Sequence, residues 1–305
     1  MTVLETPVGR FAPTPSGPLH FGSVVAAVAS YLDVRAAGGR WLVRIDDVDR
    51  PRAQAGAGEA ILASLARLGF EWDAPPVWQH QRDAAYVAAL KRLMADGWVY
   101  GCACTRKMLA DAPRAADGAT LYPGTCRNGV PAGLAARAWR FRVPAGLTAF
   151  DDRVHGRIVE DVSQAAGDFV LHRADGLFAY QLAVVVDDAA AGVTDVVRGI
   201  DLMPSTARQI CIARALGVAV PRYAHVPVVV DAGGQKLSKQ SLARAIDAFP
   251  PALLIYDALV CLGQQPPAEL ADAPLPAVWD WALAHWSMAR VPRQGEVRSR
   301  RIYDR

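Results

Sequence analysis

Residues 10–23, Arg10-Phe11-Ala12-Pro13-Thr14-Pro15-Ser16-Gly17-Pro18-Leu19-His20-Phe21-Gly22-Ser23, restrict the fold more than any other stretch. They read as the end of a strand, a tight turn and the opening of a helix, with a histidine at the helix entrance. Pro18 suits the first helical position, where its missing N–H is no loss. Gly17 and Gly22 let the main chain come close to a ligand. Nothing interrupts a helix from Gly22 to about Ala37, and Gly38-Gly39 ends it. Such a helix points unpaired N–H groups and the positive end of its dipole past the strand, where they attract phosphate. Far along the chain, Lys236-Leu237-Ser238-Lys239-Gln240 follows a valine-rich strand over 226–230. Its two ammonium groups can neutralise charge on a departing pyrophosphate. Either motif alone is compatible with an ordinary turn or a solvated loop. In this order, each after a strand, they are the equipment for holding a triphosphate while its α-phosphate is attacked.

The pattern between them alternates strand and helix. Strands are expected over 9–12 and 40–45, and helices over 59–68 and 83–94. In 59–68, Ile61, Leu62, Leu65 and Leu68 share one face. This alternation predicts an α/β fold with a parallel sheet. Ligands of such sheets bind at the carboxyl ends of the strands, where Thr14 and Asp46 fall. Between residues 99 and 167 glycine, proline and alanine rise and periodicity fades, which reads as an insertion. The run 178–188 reads as a buried strand, or a strand and a turn. A helix follows over 205–216 with Ser205 as its cap, and Pro250-Pro251 opens a C-terminal helical segment. Trp279, Trp281, Leu283 and Trp286 read as packing residues, and 290–305 as a frayed basic tail.

Bulk properties exclude little beyond membranes and disulfide scaffolds. The chain has 305 residues, 52% of them hydrophobic, enough for one large domain or two smaller ones. Its net charge of +3 is compatible with binding RNA through a local basic face. No apolar run is long enough to span a bilayer, and the first residues lack a signal-peptide pattern. Five cysteines, an odd number, argue for a reducing compartment. A cytoplasmic protein is expected, and nothing demands more than a monomer.

Four segments together resemble the glutamyl-tRNA synthetase group of class I aminoacyl-tRNA synthetases. They are residues 10–23, 44–52 (Arg44-Ile45-Asp46-Asp47-Val48-Asp49-Arg50-Pro51-Arg52), 196–202 and 236–240. Residues 180–188 through Arg208-Gln209-Ile210 are most similar to one branch, the glutamyl-queuosine tRNA(Asp) synthetases. The resemblance runs from Gly9 to about Val291. It implies a Rossmann-like parallel sheet carrying a zinc-bearing insertion and a C-terminal helical segment. It divides the chain into a first catalytic half (1–98), the insertion (99–167), a second catalytic half with the lysine loop (168–245) and the C-terminal segment (246–305). It also implies activation of L-glutamate by ATP, with Mg2+ and without tRNA. The glutamyl group then passes to the cyclopentenediol of queuosine, in the anticodon loop of tRNA(Asp). About 65 residues follow Gln240, too few for the helical anticodon-binding domain of a conventional glutamyl-tRNA synthetase. Two other readings are a truncated enzyme charging tRNA(Glu) and a non-catalytic paralogue that binds glutamate or RNA. The missing anticodon machinery weighs against the first, and retention of both His20 and Lys239 against the second.

The site residues carried over are His20 and Lys239 for catalysis and His20, Gly22, Lys236, Ser238 and Lys239 for ATP. For glutamate they are Arg10, Phe11, Ala12, Pro13, Thr14, Asp46, Tyr180 and Arg198. The chemistry agrees, because a substrate with two carboxylates and an ammonium needs cationic forks and an acid. Asp46 takes the place of a glutamate in most relatives and is one methylene shorter, so a water could intervene. Cys102, Cys104 and Cys126 suit one structural zinc. The resemblance makes Tyr122 the fourth ligand, while chemistry alone leaves His155 or water open.

Overall fold

The computed structural model describes residues 6–115, 118, 120–231, 246–299 and 302. The first half contains β1 (Val8–Phe11), α1 (Phe21–Arg35), β2 (Arg40–Ile45), α2 (Ala57–Arg67), β3 (Val77–Trp78) and α3 (Asp83–Ala95). The middle contains β4 (Val99–Cys102), β5 (Ala138–Phe141), β6 (Thr148–Asp152), β7 (Gly156–Glu160), α4 (Val162–Ala165) and β8 (Val170–His172). Then follow α5 (Tyr180–Ala190), β9 (Asp195–Gly199), α6 (Met203–Leu216), β10 (Arg222–Val226), β11 (Val228–Val230), α7 (Pro251–Cys261), α8 (Leu275–His285) and β12 (Glu296–Arg298).

The main sheet has the order β3-β2-β1-β9-β10-β6-β7. All its pairings are parallel except that of the edge hairpin β6–β7. This is the α/β class expected. Odd and even positions of the central strands face different layers. Phe11, Trp41, Val43, Ile45, Val197, Ala224 and Val226 join one core with α1, α2, α7 and α8. The alternate residues Arg10, Arg44, Val196, Arg198, Tyr223 and His225 face the layer of α3, α5 and α6. That face carries the polar groups.

The expected insertion is interleaved with the sheet. β4, β5 and β8 form a small antiparallel sheet of their own, but β6 and β7, from within 99–167, join the main sheet. β8, which falls after residue 167, belongs instead to the small one.

Four local expectations fail for physical reasons. Residues 180–190 form the helix α5 and not a strand. Its β-branched run is buried against other helices, and burial on most sides hides the helical period. The helix α1 starts at Phe21 with His20 as its cap, not at Pro18. The helix α6 starts at Met203, two residues before Ser205, whose hydroxyl instead accepts from Gln181 Nε2 at 3.0 Å. Pro227 splits the valine-rich strand, because proline cannot continue a ladder. β10 stays in the main sheet, while β11 pairs in parallel with β12.

That last pairing also overturns the frayed tail. Ser299 is buried and donates a hydrogen bond to Asp257 of α7, and Ile302 is buried against the core. Of the C-terminal tryptophans Trp279, Trp281 and Trp286, Trp279 is deepest. It meets Tyr31 and Phe70 edge-on, with centroids 5.1 Å away in each case. Its Nε1 donates to Leu68 O at 2.9 Å. Trp279→Ala is expected to destabilise the protein by about 3–5 kcal/mol in urea unfolding, the range for deleting a buried aromatic. Trp281→Ala should stay under about 1 kcal/mol, because Trp281 is only partly buried and stacks on His285 at the surface.

Candidate active site

One end of the candidate site is built by the cap of α1. His20 is extended at φ −107° and ψ 165°, and its Nδ1 accepts from Ser23 N at 3.2 Å. A lone pair at Nδ1 puts the ring proton on Nε2, which lies 3.2 Å from Ser23 Oγ. Glycine at residue 22 leaves the ring room to fold back over the first turn. A Cβ there would stand 3.1 Å from Nδ1. Lys236, Ser238 and Lys239 lie outside the described residues.

The other end is a face of buried charge. Arg10 of β1 ion-pairs with Asp188 of α5 at 3.2 Å. Arg44 of β2 bonds Asp46 at 2.6 Å and also reaches Asp188. Burial works against the Arg44 charge, but Asp46 and Asp188 outweigh it and hold its proton more firmly than usual. Burial alone would raise Asp188, yet Arg10 and Arg44 pull it below the ordinary carboxylate value. Asp187 accepts from Gln79, Arg82 and Tyr86 at 3.0, 2.9 and 2.6 Å. Asp46 N donates to Pro13 O at 3.0 Å, which ties the carboxyl ends of β1 and β2 together.

Arg198 of β9 is held differently. Its Nε donates to His225 Nε2 at 3.2 Å and its Nη2 to Thr206 Oγ1 at 2.8 Å. Its Nη1 is buried and has no partner among the described residues. His225 is fully buried, and its Nδ1 donates to Asp152 Oδ2 at 2.7 Å. Burial lowers the His225 pKa further than Asp152 can restore it, and Arg198 adds to the lowering. The imidazole is therefore neutral at pH 7, protonated on Nδ1 and accepting at Nε2.

Tyr223 stacks beside His225 with ring centroids 6.2 Å apart. Its hydroxyl is pushed up to about 12, chiefly by burial, with Arg198 and Arg10 opposing and Asp188 and Tyr180 reinforcing. Tyr180 opens α5, the helix whose Asp188 pairs with Arg10 and Arg44. The structure thus gathers Arg10, Asp46, Tyr180 and Arg198 on one face. Phe11 is an exception: its ring turns to the α1 side and stacks on Trp41 at 6.3 Å. Only its main chain is available to a ligand there. Arg44, Asp187, Asp188, Tyr223, Asp152, His225 and Thr206 were assigned no role from sequence. The signals were polar residues at every second position of strands otherwise apolar, and an acidic pair ending a run of valines.

The three thiols of Cys102, Cys104 and Cys126 all lie within 4.8 Å of one another. Cys104 and Cys126 Sγ are 3.7 Å apart, close to the edge of about 3.8 Å that a tetrahedron of thiolates around zinc requires. Tyr122 Oη is 3.4 Å from both Cys102 and Cys104 Sγ and accepts from Cys126 N at 2.7 Å. Arg140 lies over the Tyr122 ring at 3.8 Å and donates to Cys102, placing a cation beside the thiols. The donor set fits a thiophilic metal. His155 is engaged elsewhere, with Nε2 2.9 Å from His225 O.

Asp188 is the shared anion of two buried guanidinium groups. Asp188→Asn leaves positive charge uncompensated in the interior and is expected to lower stability by about 3–5 kcal/mol. With its folded value depressed, this carboxylate's contribution is complete above its ordinary value of 3.8 and lost as the pH falls below it. Urea unfolding at pH 7 and through the acid range measures both.

Residues 8–249 match the family described as tRNA synthetases class I (E and Q), catalytic domain. A glutamyl-Q tRNA(Asp) synthetase of Aromatoleum aromaticum is 58% identical over 287 residues, 94% of this chain and 91% of that protein. Another from Dechloromonas aromatica is 56% identical over 291 residues, covering 95% and 97%. The crystal structure of glutamate-tRNA synthetase from Elizabethkingia anophelis superposes with a TM-score of 0.80 at 23% identity, covering 96% of this chain and 68% of that one. A glutamate tRNA ligase from Elizabethkingia meningosepticum, in complex with its amino acid, gives 0.81 at 22%, covering 97% and 67%. At such identity the likeness shows the fold. Among the described residues no helix is long and apolar enough to cross a membrane. The sheet, the helix cap beside it and this sequence identity make the chain a member of the class I glutamyl- and glutaminyl-tRNA synthetase family, in its glutamyl-Q tRNA(Asp) synthetase branch.

Proposed function

We propose that the protein activates L-glutamate with ATP, without needing tRNA, and transfers the glutamyl group to queuosine at the wobble position of tRNA(Asp) in the cytoplasm. The α-carboxylate of glutamate attacks the α-phosphorus, and pyrophosphate leaves with its Mg2+. A hydroxyl of the cyclopentenediol then attacks the acyl carbon and releases AMP. The observation that carries this reading is the 58% identity, over 94% of the chain, to a protein named for that reaction.

The geometry supports its first half. His20 and the N-terminus of α1, with Gly22 admitting the ring, receive the phosphates. Lys236, Ser238 and Lys239 take the charge that develops on pyrophosphate. Arg10, Asp46, Tyr180 and Arg198, with the main chain of Phe11, Ala12, Pro13 and Thr14, hold glutamate. Arg198 supports an acidic substrate most directly, since its buried Nη1 has no partner among the described residues. The second half needs an exposed base, and sequence-specific RNA recognition favours unpaired anticodon-loop nucleotides of this kind. Cys102, Cys104, Tyr122 and Cys126 hold one zinc ion, which staples a small sheet whose own core is thin.

Glutamate-dependent ATP–pyrophosphate exchange is expected with no tRNA present. With tRNA added, labelled glutamate should appear on a queuosine-containing tRNA(Asp) anticodon stem-loop and not on the same loop with guanine. Label on the 3′ end of tRNA(Glu), with none on the queuosine loop, would establish a conventional synthetase instead. Elemental analysis of protein purified without chelator should find about one zinc per chain, and Cys104→Ser should lose it while exchange activity persists. A zinc-free, fully active preparation would refute the metal assignment.

A further inference from the structure

Three guanidinium groups are buried on the polar face of the sheet, and two already have anions. Arg10 has Asp188, and Arg44 has Asp46 and Asp188. Among the described residues Arg198 touches no carboxylate. Its neighbours are a neutral imidazole, a threonine hydroxyl and the ring of Tyr223, 5.5 Å from its Cζ. The hydrogen-bond directions are fixed by the anion at the far end. Asp152 Oδ1 is pinned by the main-chain N–H groups of Val154 and His155, each at 3.0 Å, and Oδ2 takes the Nδ1 proton of His225. The Nε2 lone pair must then face Arg198 Nε at 3.2 Å and Thr206 Oγ1 at 3.1 Å. Thr206, whose oxygen accepts from Arg198 Nη2, gives its own proton to the same lone pair. Two of the guanidinium's three nitrogens are thus clamped, and the third, Nη1, is left for a ligand.

We propose that His225, oriented by Asp152, is a positioning residue that aims Arg198 at a substrate carboxylate and thereby sets the preference for glutamate over its neutral amide, glutamine. The chain of contacts Asp152–His225–Arg198 crosses three adjacent strands, β6, β10 and β9. A neutral imidazole suits the task. It accepts from the guanidinium without cancelling its charge, so that charge remains for the ligand. A carboxylate in the same place would pair with Arg198 and remove its need for an anionic substrate. Glutamine offers Nη1 only an uncharged oxygen and leaves the buried cation without an anion.

This inference rests on the glutamate reading above, and the test separates the two. Pyrophosphate exchange by the unmodified protein with glutamate comes first, since its absence removes that reading and this one with it. Given exchange, His225→Asn and His225→Gln are compared. An asparagine amide ends near the Nδ1 position and keeps only the bond to Asp152. A glutamine amide reaches the Nε2 position and restores an acceptor for Arg198. His225→Asn should raise KM for glutamate about 10- to 100-fold, the loss expected for a hydrogen bond to a charged group. Its kcat and its KM for ATP should stay within about threefold. The ratio of kcat/KM for glutamate to that for glutamine should fall by about the same factor. His225→Gln should recover most of the loss. If His225→Asn does not fold, Thr206→Val removes the second clamp and should raise KM for glutamate by about 3- to 10-fold under the same measurement. Equal KM values for the two His225 variants, or a parallel loss of kcat and ATP binding, would assign His225 a purely structural role and overturn the proposal.

Discussion

The pairing of buried arginines with fixed acceptors on one side of a parallel sheet governs this molecule. Charges removed from water must be matched by partners of good geometry or they unfold the protein. Here the partners come from distant segments: Asp188 from α5, Asp46 from the end of β2, His225 from β10 and Asp152 from β6. Each pairing fixes the lateral position of a strand or helix as well as a charge. The opposite side of the sheet is apolar, with Trp41, Phe70 and Trp279 at its centre, so it supplies stability and anchors α1, whose N-terminal cap is His20. The division of labour follows from the two-residue period of the strands, which sends neighbouring residues to opposite layers.

Much of this was legible in the sequence, and what was not has identifiable causes. The strand-turn-helix around His20 and the strand over Arg40–Ile45 were readable because their turn residues and periodicity agree. The helix α5 was misread because Leu182, Ala183, Val184 and Val185 are all buried, so no polar stripe marks the period and the valines suggest a strand. The tail was misread because β12 is only three residues long and its partner lies far away in sequence. Within the candidate site, the groups that would touch a ligand were found through motif resemblance. Asp152, Thr206 and His225, which hold those groups, carry no local signature. A histidine inside a strand reveals nothing until the neighbouring strand places an arginine against its ring.

The cysteine cluster obeys the same logic in miniature. Tyr122 Oη, the thiols and Arg140 bring donors and a compensating cation to one point of the small sheet. Its strands β4, β5 and β8 leave and re-enter the main fold around the β6–β7 hairpin. The hairpin supplies Asp152 to the main sheet, so the segment that bears the cysteines also supplies the anion behind His225.

The central strand makes a further point about assembly. Gly9 of β1 lies beside Asp195 of β9, across most of the chain. The face that carries Arg10 and Arg198 therefore comes into being only when two remote segments close on each other. The entropy of that closure is expended before any native contact on the face can form. Neither segment holds a weaker version of the site, because Arg10 without α5 lacks its counter-ion and Arg198 without β10 lacks its clamp. The residues of that face are therefore brought together by the tertiary fold and not by any single segment.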